Sequence, residues 1–166
     1  MTGKSKALSA AGVFGIALFA GSASAAEYAV VNLTTSVDAP VDVVWKKVGG
    51  YCDISAWLRL PSKVSCVITS GSGGVGTVRR LADRIDEVMV GKTAHSYTYT
   101  QPNTTILYHG TLEVVPDGKG HSKILYNLIW DQAPLTSDDA KAKDRDQRTT
   151  AFTAALANMK ALAEAK

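Results

Sequence analysis

Tyrosines spaced two residues apart are the side chains here with the clearest chemical content. His95–Gln101 reads HSYTYTQ, Leu107–Val115 reads LYHGTLEVV and Lys123–Asp131 reads KILYNLIWD. Side chains alternate across an extended strand, so Tyr97 and Tyr99 share one face. By the same rule Tyr108, Gly110, Leu112 and Val114 share a face, as do Ile124, Tyr126, Leu128 and Trp130. The opposite faces carry Ser96, Thr98, Thr100, His109, Thr111, Glu113, Lys123, Asn127 and Asp131. This is the pattern of antiparallel sheet with one wet and one covered face. A covered tyrosine hydroxyl needs a hydrogen-bond partner; an ordinary core supplies one at the sheet edge, and a pocket supplies one through water or ligand. The number of tyrosines favours the pocket. Tyr97, Tyr99, Tyr126 and Trp130 are expected to line a mostly apolar cavity of roughly 300–1,000 Å³.

Two charged residues fall on inward parity. Glu87 alternates with Ile85 and Met89, and Arg79 with Val75, Thr77 and Leu81. A buried carboxylate requires a partner or a raised pKa. If both face inward from neighbouring strands, Arg79 and Glu87 form a structural ion pair, or Arg79 holds a carboxylate or phenolate end of a ligand. They are the only acid/base candidates that parity supplies. His95 and His109 fall on the wet face, where a general base cannot reach an enclosed substrate, and His121 sits beside a turn. Asp53 reads as a helix cap, with the cavity mouth as the alternative. The glycines of Gly71–Gly76 lie between strands, so they mark a hairpin rather than a phosphate cradle. Cys52 and Cys66 lack metal-ligand spacing; whether they are bridged or remain buried thiols depends on a Cα separation that spacing does not give. No metal and no cofactor are expected.

The elements that must position these groups follow from periodicity. Glu27–Asp38 alternates as a strand. Asp38 and Pro40 suit a helix start, and Val41–Val48 forms a short amphipathic helix with Val44, Trp45 and Val48 inward, stopped by Gly49-Gly50. Asp53–Leu58 is a second short helix. Strands follow at Val64–Thr69, Val75–Ala82 and Arg84–Val90, with turns at Ser70–Gly74 and Gly91-Lys92, and then come the three aromatic strands. Pro116–Gly120 joins the last two. Thr136–Asp139 supplies capping residues, and Phe152, Leu156, Met159 and Ala163 mark one face of a long final helix, with Leu162 beside it. Ala140–Gln147 is too charged to be buried. That helix needs an apolar partner, which the aromatic face offers.

Residues 1–25 carry Lys4 and Lys6, an apolar stretch from Ala7 to Ala20, and the Ala23-Ser24-Ala25 pattern. They read as a bacterial secretory leader cut before Ala26. The apolar run is shorter than the ~20 residues a membrane span needs, and no later segment could span. No stable membrane anchor is therefore expected, and the destination is the periplasm or the outside. Removing 25 of 166 residues leaves 141, enough for one domain over 26–166. The formal charge falls from +3 to +1 as Lys4 and Lys6 leave. The remainder has no strong basic stripe suited to nucleic acid, and Arg79-Arg80 is only a dipeptide.

The order of elements, with Asp38-Ala39-Pro40…Val44-Trp45, Gly49…Trp57, Gly74-Val75-Gly76-Thr77-Val78-Arg79 and Ala94-His95-Ser96-Tyr97-Thr98-Tyr99, resembles the START and birch-pollen-allergen (SRPBCC) superfamily. Within it, the chain looks most like the bacterial polyketide cyclase/dehydrase-type group, from about Ala29 to Leu162. The resemblance implies an α+β helix-grip fold: a curved seven-stranded antiparallel sheet around the last helix, with two short helices after the first strand. It also implies an apolar cavity for a hydrophobic small molecule, and in plant relatives tyrosines at the Tyr97 and Tyr99 positions line it. Where the family's seventh strand often reads Val-x-Trp-x-x-x-Phe, this chain has Ile124-x-Tyr126-x-x-x-Trp130. The expected ligand-contacting set is Tyr97, Tyr99, Tyr108, Leu112, Tyr126, Trp130, Phe152 and Leu156. Two functions fit: an exported protein that binds a hydrophobic or aromatic small molecule, and a cofactor-independent cyclase, dehydratase or lyase using Glu87, Arg79 and the tyrosines. The lack of a recognisable catalytic constellation favours binding.

Overall fold

Alternation of small or apolar residues with polar ones carries the first strand, β1, over Tyr28–Val37, where Ala29, Val31 and Val37 are buried. The computed structural model describes residues 25–60 and 62–165. The leader expected over residues 1–25 therefore lies, but for Ala25, outside the described residues. Two helices follow, α1 (Val41–Val48) and α2 (Ile54–Trp57). Val44 and Val48 of α1 are buried, while Trp45 is half-buried at its edge. Pro40 occupies the cap position of α1, and no side chain caps it. Asp38 does not serve as a cap: its carboxylate turns outward to His121 Nδ1 at 3.2 Å.

Six strands then run as a meander: β2 (Cys66–Ser70), β3 (Val78–Leu81), β4 (Ile85–Lys92), β5 (Ser96–Thr100), β6 (His109–Pro116) and β7 (Ser122–Asp131). With β1 beside β7 they form a seven-stranded sheet in the order β1-β7-β6-β5-β4-β3-β2, every neighbour antiparallel. β3 is shorter than its alternation suggests. Gly76 has φ +89° and breaks the strand before Val78, which leaves Val75 exposed. At the other end Ala82 and Asp83 both adopt positive φ, making a two-residue turn into β4 that carries neither Gly nor Asn. The turn expected at Gly91-Lys92 is instead the end of β4, where a bulge between Met89 and Gly91 turns Val90 outward.

The final helix, α3, spans Asp138–Glu164 and is capped by Ser137, whose hydroxyl accepts the Ala140 N–H. Phe152, Ala155, Leu156, Met159 and Ala163 form its buried face. It packs chiefly on β1, with further contacts to α1, α2 and β7. The far half of the sheet, β3 to β5, thus lies away from the helix and is covered mainly by the α1–α2 segment. Cys52 and Cys66 are joined by a disulfide that ties this covering segment to the edge strand β2.

Candidate functional site

Every aromatic residue that the spacing placed on the covered face is buried there: Tyr97, Tyr99, Tyr108, Tyr126 and Trp130, together with Leu112, Phe152 and Leu156. Gly110 makes room for them. It pairs with Tyr99 across β5 and β6, and a Cβ at this position would fall 2.4 Å from the Tyr99 ring. The Tyr99 and Tyr126 hydroxyls satisfy each other at 2.9 Å. Tyr126 also meets the Phe152 ring at 4.7 Å and the Trp57 ring at 5.9 Å, so it fills space between sheet and helix. Trp130 is fixed at the rim, where its Nε1–H donates to Asp144 Oδ2 at 2.7 Å.

A cavity of about 260 Å³ opens beside this packed cluster. Its wall joins Ile54 and Leu58 of the α2 segment, Leu81 and Ile85 of the β3–β4 hairpin, Tyr99, Tyr108 and Phe152. Tyr97, Leu112, Tyr126, Trp130 and Leu156 do not line it, contrary to the spacing-based expectation. The physical reason is the position of α3. Under the helix Tyr126 packs on Phe152 and Trp57, and Trp130 is tied to Asp144, whereas the cavity lies at the edge of α3, between Arg148 and Phe152, the α2 segment and the β3–β4 hairpin. Tyr97 faces a separate depression of about 400 Å³ among Trp45, Gly49, Asp53 and Lys92. Asp53 borders this depression and accepts the Gly50 N–H at 2.7 Å, rather than capping α2. A wider depression of about 950 Å³ runs along the outer side of α3, lined by Leu60, Ala142, Ala151 and Ala154 with Asp139, Lys143 and Asp146. It is open to solvent, and Leu60 borders both it and the inner cavity.

Arg79 and Glu87 both face inward, opposite each other on β3 and β4, and are almost completely buried. Arg79 Nε donates to Glu87 Oε2 at 2.7 Å, and Nη2 lies 2.6 Å from the same oxygen as an ion-pair contact rather than a directed hydrogen bond. Nη1 donates to the Tyr51 carbonyl oxygen. The other Glu87 oxygen accepts from Gln101 Nε2 at 2.9 Å. The guanidinium lies over three rings: Tyr51 at 4.3 Å, Tyr99 at 4.8 Å and Tyr97 at 5.6 Å. Burial alone would lower the Arg79 pKa, but the Tyr97 oxygen and the Glu87 carboxylate outweigh it and hold it well above the ordinary value. Burial likewise pushes the Tyr99 and Tyr126 hydroxyls well above the usual tyrosine range. Arg79 is therefore spent on protein groups. Glu87 reaches the cavity wall and Arg79 does not.

The cavity's other polar lining groups are Gln101, Arg84 and Arg148. Gln101 continues the parity of Tyr97 and Tyr99, a signal that was legible. Arg148 precedes Phe152 by four residues and so shares its helix face. It was overlooked because the charged turns before it suggested a wholly exposed start to the helix. His95 and His121 pair with exposed Asp42 and Asp38 at the surface, and His109 Nδ1 lies 2.9 Å from the Leu107 carbonyl oxygen. Among the described residues no group of His, Cys, Asp and Glu is arranged to hold a metal, and no helix is long and apolar enough to cross a membrane.

A twisted antiparallel sheet closed around one long helix, with two short helices over its open half, defines the helix-grip class. The chain belongs to the polyketide cyclase / dehydrase and lipid transport family, whose pattern it matches over residues 28–164. Among solved structures it is similar to a protein from Nitrosospira multiformis, with TM-score 0.65 and 24% identity over 80% of this chain and 94% of that one. It is also similar to the Zhui aromatase/cyclase from Streptomyces sp. R1128, with TM-score 0.65 and 20% identity over 83% and 94% of the two chains. Norcoclaurine synthase from Thalictrum flavum matches with TM-score 0.60 and 19% identity over 87% and 99%. At these identities the likeness is one of fold. No curated protein sequence matches the chain.

Proposed function

We propose that the protein is exported and binds a hydrophobic or aromatic small molecule in the cavity between α2, the β3–β5 part of the sheet and α3. The observation that carries this reading is the partly open cavity of about 260 Å³, walled by Ile54, Leu58, Leu81, Tyr99, Tyr108 and Phe152. Apolar surface facing such a cavity gains free energy when a ligand of matching shape displaces water from it. The size suits one or two rings rather than a long polycyclic chain. Export rests on the leader-like residues 1–25, and the disulfide fits an oxidising destination.

The family also contains cyclases and dehydrases, and Glu87 on the cavity wall is the natural acid/base candidate for such chemistry here. Both of its oxygens already accept hydrogen bonds, from Arg79 and Gln101, which leaves it poorly placed to exchange a proton with a substrate. Binding is accordingly the better supported function.

Native mass spectrometry of the protein purified from its own host tests the reading. The expected spectrum contains a polypeptide beginning at Ala26 and carrying a small apolar adduct. A chain retaining Met1 in the cytoplasm would remove the export claim. Failure both to carry an adduct and to bind small aromatic compounds would remove the binding claim.

A further inference from the structure

On the reading that the cavity binds a ligand, we infer that its mouth is an anion site formed by Arg148 and Arg84, and that the ligand is a small apolar acid of one or two rings. Besides the hydroxyl-bearing Tyr99 and Tyr108, the cavity wall carries two charged arginines, Arg84 and Arg148, with Glu87 and Gln101. Glu87 is neutralised by Arg79, and Gln101 is bound to Glu87. The two arginines remain. Arg148 is held in place from two directions. Its Nε donates to Asp144 at 3.1 Å, and its guanidinium lies over the Tyr108 ring at 5.1 Å and the Trp130 ring at 4.8 Å. Stacking uses the faces of a guanidinium and leaves its edge donors free. Among the described residues the terminal nitrogens of Arg148 make no hydrogen bond to protein, and Arg84 makes no ion pair.

Asp144 balances the formal charge but engages Nε alone, with its Oδ2 also accepting from Trp130 at 2.7 Å and from Gln132 at 3.4 Å, so the terminal donors of Arg148 stay available to a ligand. Arg84, also on the cavity wall, comes directly after the Ala82-Asp83 turn and is exposed. A carboxylate at this rim would keep partial access to water while its rings contact Tyr99, Tyr108 and Phe152. That arrangement avoids burying the charge and gives charge-assisted hydrogen bonds on a preset geometry. The charge expected from Arg79 is thus supplied by different residues, at the rim instead of the floor.

Titration calorimetry of the folded, disulfide-bonded protein with 2-naphthoate and 2-naphthamide separates the possibilities, because the two probes share a ring system and differ in charge. The acid is expected to bind about ten-fold or more tightly than the amide, with the difference shrinking at high salt. Arg148→Gln and Arg84→Gln should each erode this preference, with circular dichroism and the urea midpoint reporting that the variants are folded. Equal affinity for the two probes, or a preference untouched by both substitutions, would overturn the anion site and leave the cavity reading standing. Failure of both probes to bind up to millimolar concentration would overturn the anion site and the cavity reading together.

Discussion

At the scale of the residue, the defining feature is a buried ion pair held by protein groups, with only Arg79 Nη2 lacking a directed hydrogen bond. Arg79 reaches Glu87, the Tyr51 carbonyl and three aromatic rings, and Glu87 reaches Gln101. Such a pair adds little net stability over an apolar replacement, but loss of one member strands a charge. Arg79→Met is therefore expected to destabilise the protein by about 3–5 kcal/mol, and Arg79→Met/Glu87→Leu by markedly less. Urea unfolding of the three proteins measures this. A single substitution costing under about 1 kcal/mol would mean that the Glu87 carboxylate finds water instead. The pairing was legible from parity, since both residues alternate with apolar neighbours. That Arg79 would be consumed by it was not, because the competing acceptor, the Tyr51 carbonyl, comes from a loop 28 positions away.

At the scale of the element, α3 decides where the molecule is solid and where it is hollow. Its buried face was legible in the spacing of Phe152, Leu156, Met159 and Ala163, all of which are inside. Leu156→Ala is expected to cost about 2–5 kcal/mol as a cavity-forming change, whereas Thr153→Ala on the exposed side should stay within about 0.5 kcal/mol. Thermal or urea unfolding of both variants tests the orientation of the helix; equal effects would mean that the face is wrong. Strand boundaries were less legible. The β3–β4 turn falls where the strand pattern breaks at Asp83, a residue that tolerates the left-handed region, but Ala82 shares that conformation and its chemistry does not announce it. The tertiary pairing of Leu81 with Ile85 imposes it.

At the scale of the whole molecule, five tyrosines share one low-dielectric interior. Burial raises the pKa of Tyr97, Tyr99, Tyr126, Tyr51 and Tyr108. A raised folded-state pKa for an acid means that the unfolded chain releases protons more readily. The stability from keeping these hydroxyls neutral is complete below the unfolded tyrosine pKa of about 10 and is lost as pH rises above it. The protein is expected to unfold cooperatively in alkali, with tyrosinate absorbance from these five appearing together with loss of circular dichroism. Ionisation of all five in a still-folded protein would show that the interior is open to water. The Cys52–Cys66 bridge closes a loop of 14 positions and should add roughly 3 kcal/mol, so reduction should move the transition to lower pH and lower temperature.

What the sequence determined by itself was the set of faces. A period of two in the strands and of 3.6 in the last helix decides which side chains point inward, and this holds for Tyr97, Tyr99, Tyr126, Arg79, Glu87 and Phe152 alike. Periodicity is local, so one chain segment suffices to reveal it. What only the tertiary structure decided was which inward residues meet one another and which meet empty space. Tyr126 and Trp130 lie under α3, packed on Phe152 and tied to Asp144, while Tyr99 and Tyr108 lie at its edge and border the cavity. That difference depends on where a helix near the C-terminus lies on the sheet and on how a disulfide-tied segment near residue 52 covers the rest. These are contacts across most of the chain's length, and alternation within a single strand carries no information about them.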